Sequence, residues 1–245
     1  MARNLTQEEI DAFKARLCAV AERRFAEGGV ASVSMRQLAE ELGCSPMTPY
    51  RYFKDKDDIL ATVRAAAFDR FAATLEAAGA SVAEPRERAR AVGEAYLAFA
   101  FAEPNAYRLM FDMTQPDDDR YPDLERAGSR ARRTMSAHLE TLAERGLIHG
   151  DPQVLSYVIW ASIHGLVMLR LAGKLPGDPD FRVIHAEMLR LLASGMRAPM
   201  PEASLEAGHD ADHEAVSESV SEPVSEPVPP ATPKPIRQQR KRSSQ

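Results

Sequence analysis

Residues 45–53 read SPMTPYRYF, two prolines three positions apart with helical periodicity on either side. A proline inside a helix removes a backbone donor and clashes with the carbonyl four residues back, costing about 3 kcal/mol. Pro46 and Pro49 fit one helix only in its first turn, where the amide donors have no intrahelical acceptor. The spacing predicts a short helix with Ser45 as N-cap and Pro46 at its first position, ending soon after Phe53. Pro49 lies one position too deep, so the first turn should tighten or the start should shift by a residue. Such a short rod must be held by what precedes it.

Upstream, Ser34 followed by Gln37 forms a capping box. It opens a helix that buries Met35, Leu38, Ala39 and Leu42, with Gly43 as its stop. Two short helices joined by a turn containing Gly43 make a helix-turn-helix. A second box, Thr6 with Glu9, opens an earlier helix with Ile10, Phe13, Leu17, Val20 and Ala21 on one face, stopped at Gly28-Gly29. Downstream, 3.6-residue periodicity predicts helices over 57–78, 85–102, 104–111, 123–145, 152–171 and 179–197, with a loop at 114–122. Strand alternation is nearly absent. The expected fold is all-α, with about nine helices: a three-helix head carrying the helix-turn-helix, then a larger bundle. The expected divisions are 1–56, 57–198 and a disordered tail, 199–245.

Composition narrows the function. With 44% hydrophobic and 27% charged residues in 245, the chain can bury a sizeable core. A net charge of −5 supplies no global positive field, and residues 1–60 hold nine Lys and Arg against ten Asp and Glu. Nucleic-acid binding would therefore rest on local geometry. No run of 18 apolar residues occurs and the N-terminus lacks an apolar signal core, so neither a membrane span nor a secretory signal is expected. Cys18 and Cys44, the only cysteines, fit a reduced cytoplasmic setting. Cys44 beside a helix start suits a redox sensor, although a small buried hydrophobe is the better reading. The tail contains VSESVSEPVSEPVPPATPKP (216–235), a degenerate repeat without aromatics, and reads as disorder or an extended linker. Acids occupy 202–226, and Lys234, Arg237, Arg240, Lys241 and Arg242 follow. His209 and His213 stand among acids at metal-ligand spacing, but in such a segment they assign no site; no metal or cofactor is expected.

The stretch AEGGVASVSMRQLAEELGCSPMTPYRYFKDKDDIL (26–60) resembles the DNA-binding head of TetR-family transcriptional regulators. It matches that pattern at Gly28, Gly29, Ala39, Gly43, Ser45, Tyr50, Tyr52, Phe53 and Lys56, and departs at Pro49, where the family usually has an apolar residue. The resemblance implies that the short third helix enters the major groove of a double-stranded DNA operator. Met47, Thr48 and Arg51 would then face the bases, with Met47 and Thr48 suited to a thymine methyl and Arg51 to guanine or phosphate. Ser45, Tyr50, Tyr52 and Lys56 would hold phosphates, and Ser34 and Arg36 at the start of the second helix are further DNA-binding candidates. Tyr50 and Phe53 also read as core plugs, the better reading for Phe53.

In the bundle, Trp160, His164 and Gly165 resemble the C-terminal domain named for that triplet in one TetR subgroup, Trp-His-Gly. Trp160 and His164 share a helix face. Glycine inside a helix costs about 1 kcal/mol, so something should pack closely on Gly165. Tyr96, Phe99, Tyr107, Met110, Phe111, Trp160, His164 and Met168 suit an effector pocket for a small, largely apolar molecule. The same residues suit plain core, with His164 satisfied by a backbone carbonyl. The resemblance implies a homodimer through the last two helices, with Leu166, Leu169, Phe181, Ile184, Met188, Leu189, Leu191 and Leu192 as contacts. The function expected is a DNA-binding regulator, most often a repressor in this family, released from a palindromic operator by its effector. Two rivals stand beside it. A helical enzyme could use His138, His164 and carboxylates, but phosphate loop, Glu-x-x-His pair and nucleophile elbow are missing. An effector-independent DNA binder is the other.

Overall fold

A computed structural model of the chain describes residues 6–111, 120–175 and 181–197. Among these residues the regular elements are helical: α1 (Gln7–Gly28), α2 (Met35–Glu41), α3 (Lys56–Ala80), α4 (Pro85–Ala102), α5 (Pro104–Met110), α6 (Pro122–Glu144), α7 (Pro152–Leu171) and α8 (Phe181–Met196). One isolated antiparallel bridge pairs Ile148 with Arg197 after α8. The tail, with its basic end and its His209/His213 pair, lies outside the described residues, as does most of the 114–122 loop.

The expected third α-helix is instead a run of three-residue turns. Thr48 N–H donates to the Ser45 carbonyl at 2.8 Å, Arg51 N–H to Thr48 at 3.1 Å and Tyr52 N–H to Pro49 at 3.0 Å. Pro49 has no N–H for the i→i−4 bond to Ser45, so Thr48 takes that carbonyl and the segment tightens to a 3-10 turn over Pro49–Arg51. The cap expected at Ser45 does not form on this turn: Thr48 occupies its N-cap position without a side-chain bond, and the Ser45 hydroxyl accepts from Met47 N–H at 3.4 Å upstream of it. Pro49 itself is buried, filling the apolar position with a ring.

What holds this segment is local chemistry. The Thr6–Glu9 and Ser34–Gln37 capping boxes both form. At the end of α2, Gly43 adopts φ 66° while Cys44 N–H reaches back to the Ala39 carbonyl at 3.0 Å. This is a Schellman closure, which reverses the chain within a few residues and favours glycine at that one position.

Two apolar clusters organise the described residues, all of which belong to one compact unit. The first joins Leu17, Ala21 and Phe25 of α1 with Leu38, Phe53 and the α3 residues Ile59, Leu60 and Val63. The second runs from α3 through α4, α5, α6 and α7. Helix α3 feeds both, and so does α5: Leu109 belongs to the first cluster, Tyr107 and Met110 to the second.

Candidate functional site

Around the 3-10 segment, Met47 is 67% and Tyr50 49% exposed, and Arg36, Ser45 and Arg51 are also exposed. Thr48, expected to face outward, is half-buried, and Tyr52 is held by a ring contact with Phe13 at 5.0 Å. Phe53 is buried, as its core reading had it. Ser34 is an exposed N-cap whose hydroxyl and amide are both engaged with Gln37. The Lys56 ammonium donates to the Val30 carbonyl at 2.7 Å, tying the start of α3 to the turn after α1. That uses one of its three donors.

Charge on this surface is selective. Arg23 and Arg24 are spent on Glu41, and Arg70 is shared by Glu22 and Glu103. Arg51 rests over the Tyr52 ring at 5.9 Å, beside the exposed Met47 and Tyr50. The segment presents exposed apolar and aromatic side chains, Met47 and Tyr50, together with the Arg51 guanidinium. Such a segment can contact thymine methyls and phosphates without a basic patch.

In the bundle, the eight residues grouped by sequence separate. The Tyr96 and Tyr107 hydroxyls meet at 2.6 Å, and Tyr107 Oη lies 2.7 Å from His164 Nδ1. If each hydroxyl donates toward the imidazole and Nε2 carries the ring proton, all three groups are satisfied. The partner of His164 is thus a tyrosine hydroxyl and not the backbone carbonyl expected. Burial pushes the Tyr96 phenol up to about 12 and the Tyr107 phenol further, and it lowers the His164 imidazole below its ordinary value. All three are neutral at physiological pH. Phe99 and Met110 are buried beside them, and Phe111 packs edge-on to His164 at 4.8 Å.

Two cavities flank this polar chain. A cavity of about 610 Å³ between α6 and α7 is walled by Phe68, Met110, Phe111 and Trp160, with Arg132, Ser136, Glu140 and Gln153 as polar lining. A cavity of about 1090 Å³ lies among α4, α6, α7 and α8 and takes in Tyr96 and Trp160. Met135, Ser156 and Trp160 line both. Phe99, Tyr107, His164 and Met168 line neither; Phe99 and Tyr107 are buried core, and His164 and Met168 are half-buried. The α6 and α8 contributions had no motif to mark them; polar residues on an amphipathic helix look alike whether they meet a cavity or water.

Gly165 breaks expectation as well. An added Cβ there would find no heavy atom within 4 Å, so nothing within the protomer packs on it. It lies along an exposed stripe of α7 formed by Val154, Val158 and Leu169, and α8 exposes Val183 and Leu191. By length and composition α7 is apolar enough to cross a membrane. One such helix is weak ground for a membrane span; Ile163, Leu166 and Val167 on its other side are buried in the protein.

Residues 17–63 match the family described as bacterial regulatory proteins, tetR family, and residues 89–192 match the tetracyclin repressor-like C-terminal domain. An HTH-type transcriptional regulator of Mycobacterium tuberculosis, Rv1816, is 23% identical over 215 residues, covering 74% of this chain and 91% of its own. A Rhodococcus protein of unknown function is 28% identical with a TM-score of 0.66, covering 75% of this chain and 95% of its own. A TetR family transcription regulator from Marinobacter aquaeolei shares the fold at 19% identity and a TM-score of 0.63, with coverages of 79% and 100%.

Proposed function

We propose a function from one premise: this chain belongs to the TetR family of bacterial transcriptional regulators, which bind DNA through a helix-turn-helix and are not enzymes. The reading is a cytoplasmic repressor that holds a palindromic operator as a homodimer and is released by a small, largely apolar effector. Residues 1–56 form its DNA-binding part and 57–198 its effector-binding and dimerisation part. The triplet Trp160, His164 and Gly165 supports reading the latter as a Trp-His-Gly type domain.

One observation carries the coupling. Leu109 sits in the core under the helix-turn-helix, while its neighbour Met110 walls the 610 Å³ cavity. Buried Arg64 of α3 donates to the Met110 carbonyl at 3.1 Å, clamping the end of α5 to the helix that follows the DNA-reading segment. An effector pressing on Met110 and Phe111 displaces a helix that both regions share. A differential affinity of about 1–3 kcal/mol is enough to matter.

The bare Gly165 and the stripe around it support dimerisation through α7 and α8, because a glycine in an open apolar face lets a second helix approach closely. A two-fold axis there sets two 45–53 segments about 34–36 Å apart, one turn of DNA. DNA selected from a genomic pool tests the reading. The expected product is a duplex palindrome bound by the wild type. Gly165→Leu should sediment as a monomer with intact helicity and lose most of that affinity. A monomeric wild type, or one without preference among duplexes, refutes it.

A further inference from the structure

Helix α5 is seven residues long, and its last four residues reach different parts of the molecule. The Tyr107 hydroxyl lies 2.7 Å from His164 Nδ1 of α7. The Arg108 guanidinium donates to the carbonyl of Leu171, the last residue of α7, at 2.6 Å. Leu109 sits in the core under the helix-turn-helix, and the Met110 carbonyl takes the bond from Arg64 of α3. One short helix thus touches the head, the helix behind the head, and the helix whose exposed stripe suits a dimer.

The Arg108 bond has a local chemical reason. In the last turn of α7, the Met168 carbonyl accepts from Ala172 N–H at 2.9 Å, Leu169 from Lys174 at 2.9 Å and Arg170 from Gly173 at 3.1 Å. The Leu171 carbonyl comes next, and Arg108 supplies its donor. A cation suits this end of a helix, where the dipole is negative, and a charged donor bonds about twice as strongly as a neutral one.

The bond also fixes an angle. His164 and Leu171 stand seven residues apart on α7, two turns, or about 10.5 Å along its axis. One contact lets a helix swing about it, whereas two contacts that far apart set the crossing angle. Tyr107 is fully buried and Arg108 is exposed, so loss of the arginine leaves the core and the pivot in place.

We propose that Arg108 is a positioning residue that determines which operator spacing the protein accepts. This rests on the palindrome-binding homodimer through α7 and α8. With α5 held to α7 at two points and Leu109 seated in the head core, each head keeps one angle to the dimer helices. The two 45–53 segments then keep one separation. Without the Arg108 bond, α5 swings on Tyr107–His164 and the heads sample a range of separations. Each base pair added between half-sites moves them about 3.4 Å apart and turns them by about 34–36°. A fixed angle rejects the altered spacer, and a loose one tolerates it. Arg108 acts through α7, so its effect falls on spacing and not on the half-site.

The test uses full-length protein and the palindrome recovered from the genomic pool, remade with one or two base pairs added or removed at its centre. A single half-site is measured beside them. In fluorescence anisotropy the wild type should favour one spacing over its neighbours by about tenfold or more. Arg108→Gln should bring that ratio within about threefold, with sedimentation as a dimer, helicity and half-site affinity unchanged. Arg108→Lys, which keeps a charged donor, should retain most of the wild-type preference. Arg90→Gln removes another exposed cation, one paired with Glu94 inside α4, and should leave the profile as it is. The proposal alone is overturned if Arg108→Gln keeps the sharp profile, if Arg108→Lys is as broad as Arg108→Gln, or if half-site affinity falls in step with the palindrome. A wild type that binds every spacing alike also overturns it and leaves DNA binding standing. One that binds no duplex takes the regulatory reading down with it.

Discussion

The cluster under the helix-turn-helix and the cluster inside the bundle use similar side chains to opposite ends. The first is built from Leu17, Phe25, Leu38, Phe53 and Ile59, contains only apolar side chains, and touches neither cavity. The second threads a hydrogen-bonded chain, Tyr96–Tyr107–His164, between two cavities. The head is packed to hold one geometry, while the bundle keeps space and polar anchors. Phe53→Ala tests the contrast most severely. It should remove about 3–5 kcal/mol, read as a lower denaturant midpoint, because a closed core cannot collapse onto the void. Phe111→Ala, at a cavity wall, should lose clearly less. Equal losses would break the comparison.

Tyr107→Phe probes the bundle's polar chain. It deletes the hydroxyl between Tyr96 and His164 and leaves the buried Tyr96 group without its partner. The expected loss is about 1–3 kcal/mol in chemical denaturation, with the helical content unchanged. A neutral outcome would mean that water replaces the hydroxyl.

These two regions were also unequally legible in the sequence. In the head, capping boxes, Gly43 and the prolines act within a few residues of themselves, so element ends could be read directly. What escaped was the helix type at 46–52, which turned on the one donor that Pro49 lacks. In the bundle, helix positions were equally plain, but core, cavity and exposed face all present the same apolar pattern. Hence Phe99 and Tyr107 looked like pocket residues and are core. Met135, Arg132 and His185 looked like nothing and line cavities. Gly165 read as a site of close packing, yet nothing within 4 Å meets it. Which neighbour an apolar face meets is a tertiary fact, absent from local periodicity.

Histidine sharpens the same division. All six histidines lie beyond residue 137, none in the head. Burial lowers the His138, His164 and His185 imidazoles below the ordinary value of 6.5, with the Thr134 carbonyl partly offsetting this at His138 and Glu94 at His185. A base whose folded pKa is depressed binds fewer protons folded than unfolded. Stability is then full above pH 6.5 and falls as pH drops toward the folded values. The unfolding midpoint should therefore decline between about pH 7.5 and about pH 5.5. His138→Gln should flatten part of that slope. The carboxylates Asp69 and Glu76, held low by hydrogen bonds from Arg126 and Arg130, would act only at more acid pH.

The smallest effect falls at Lys56, where head and bundle meet. Its ammonium supports the Val30 carbonyl, yet two of its donors remain for a phosphate. Lys56→Met should cost about 0.5–1.5 kcal/mol of stability, the worth of one hydrogen bond. The two roles part in the salt dependence of DNA binding. Loss of a phosphate contact lowers the slope of log affinity against log salt by about 0.9, whereas loss of a purely structural strut weakens binding at an unchanged slope. A lower slope assigns Lys56 to the DNA surface; an unchanged slope with a lower unfolding midpoint makes it part of the scaffold that holds residues 45–53 in place.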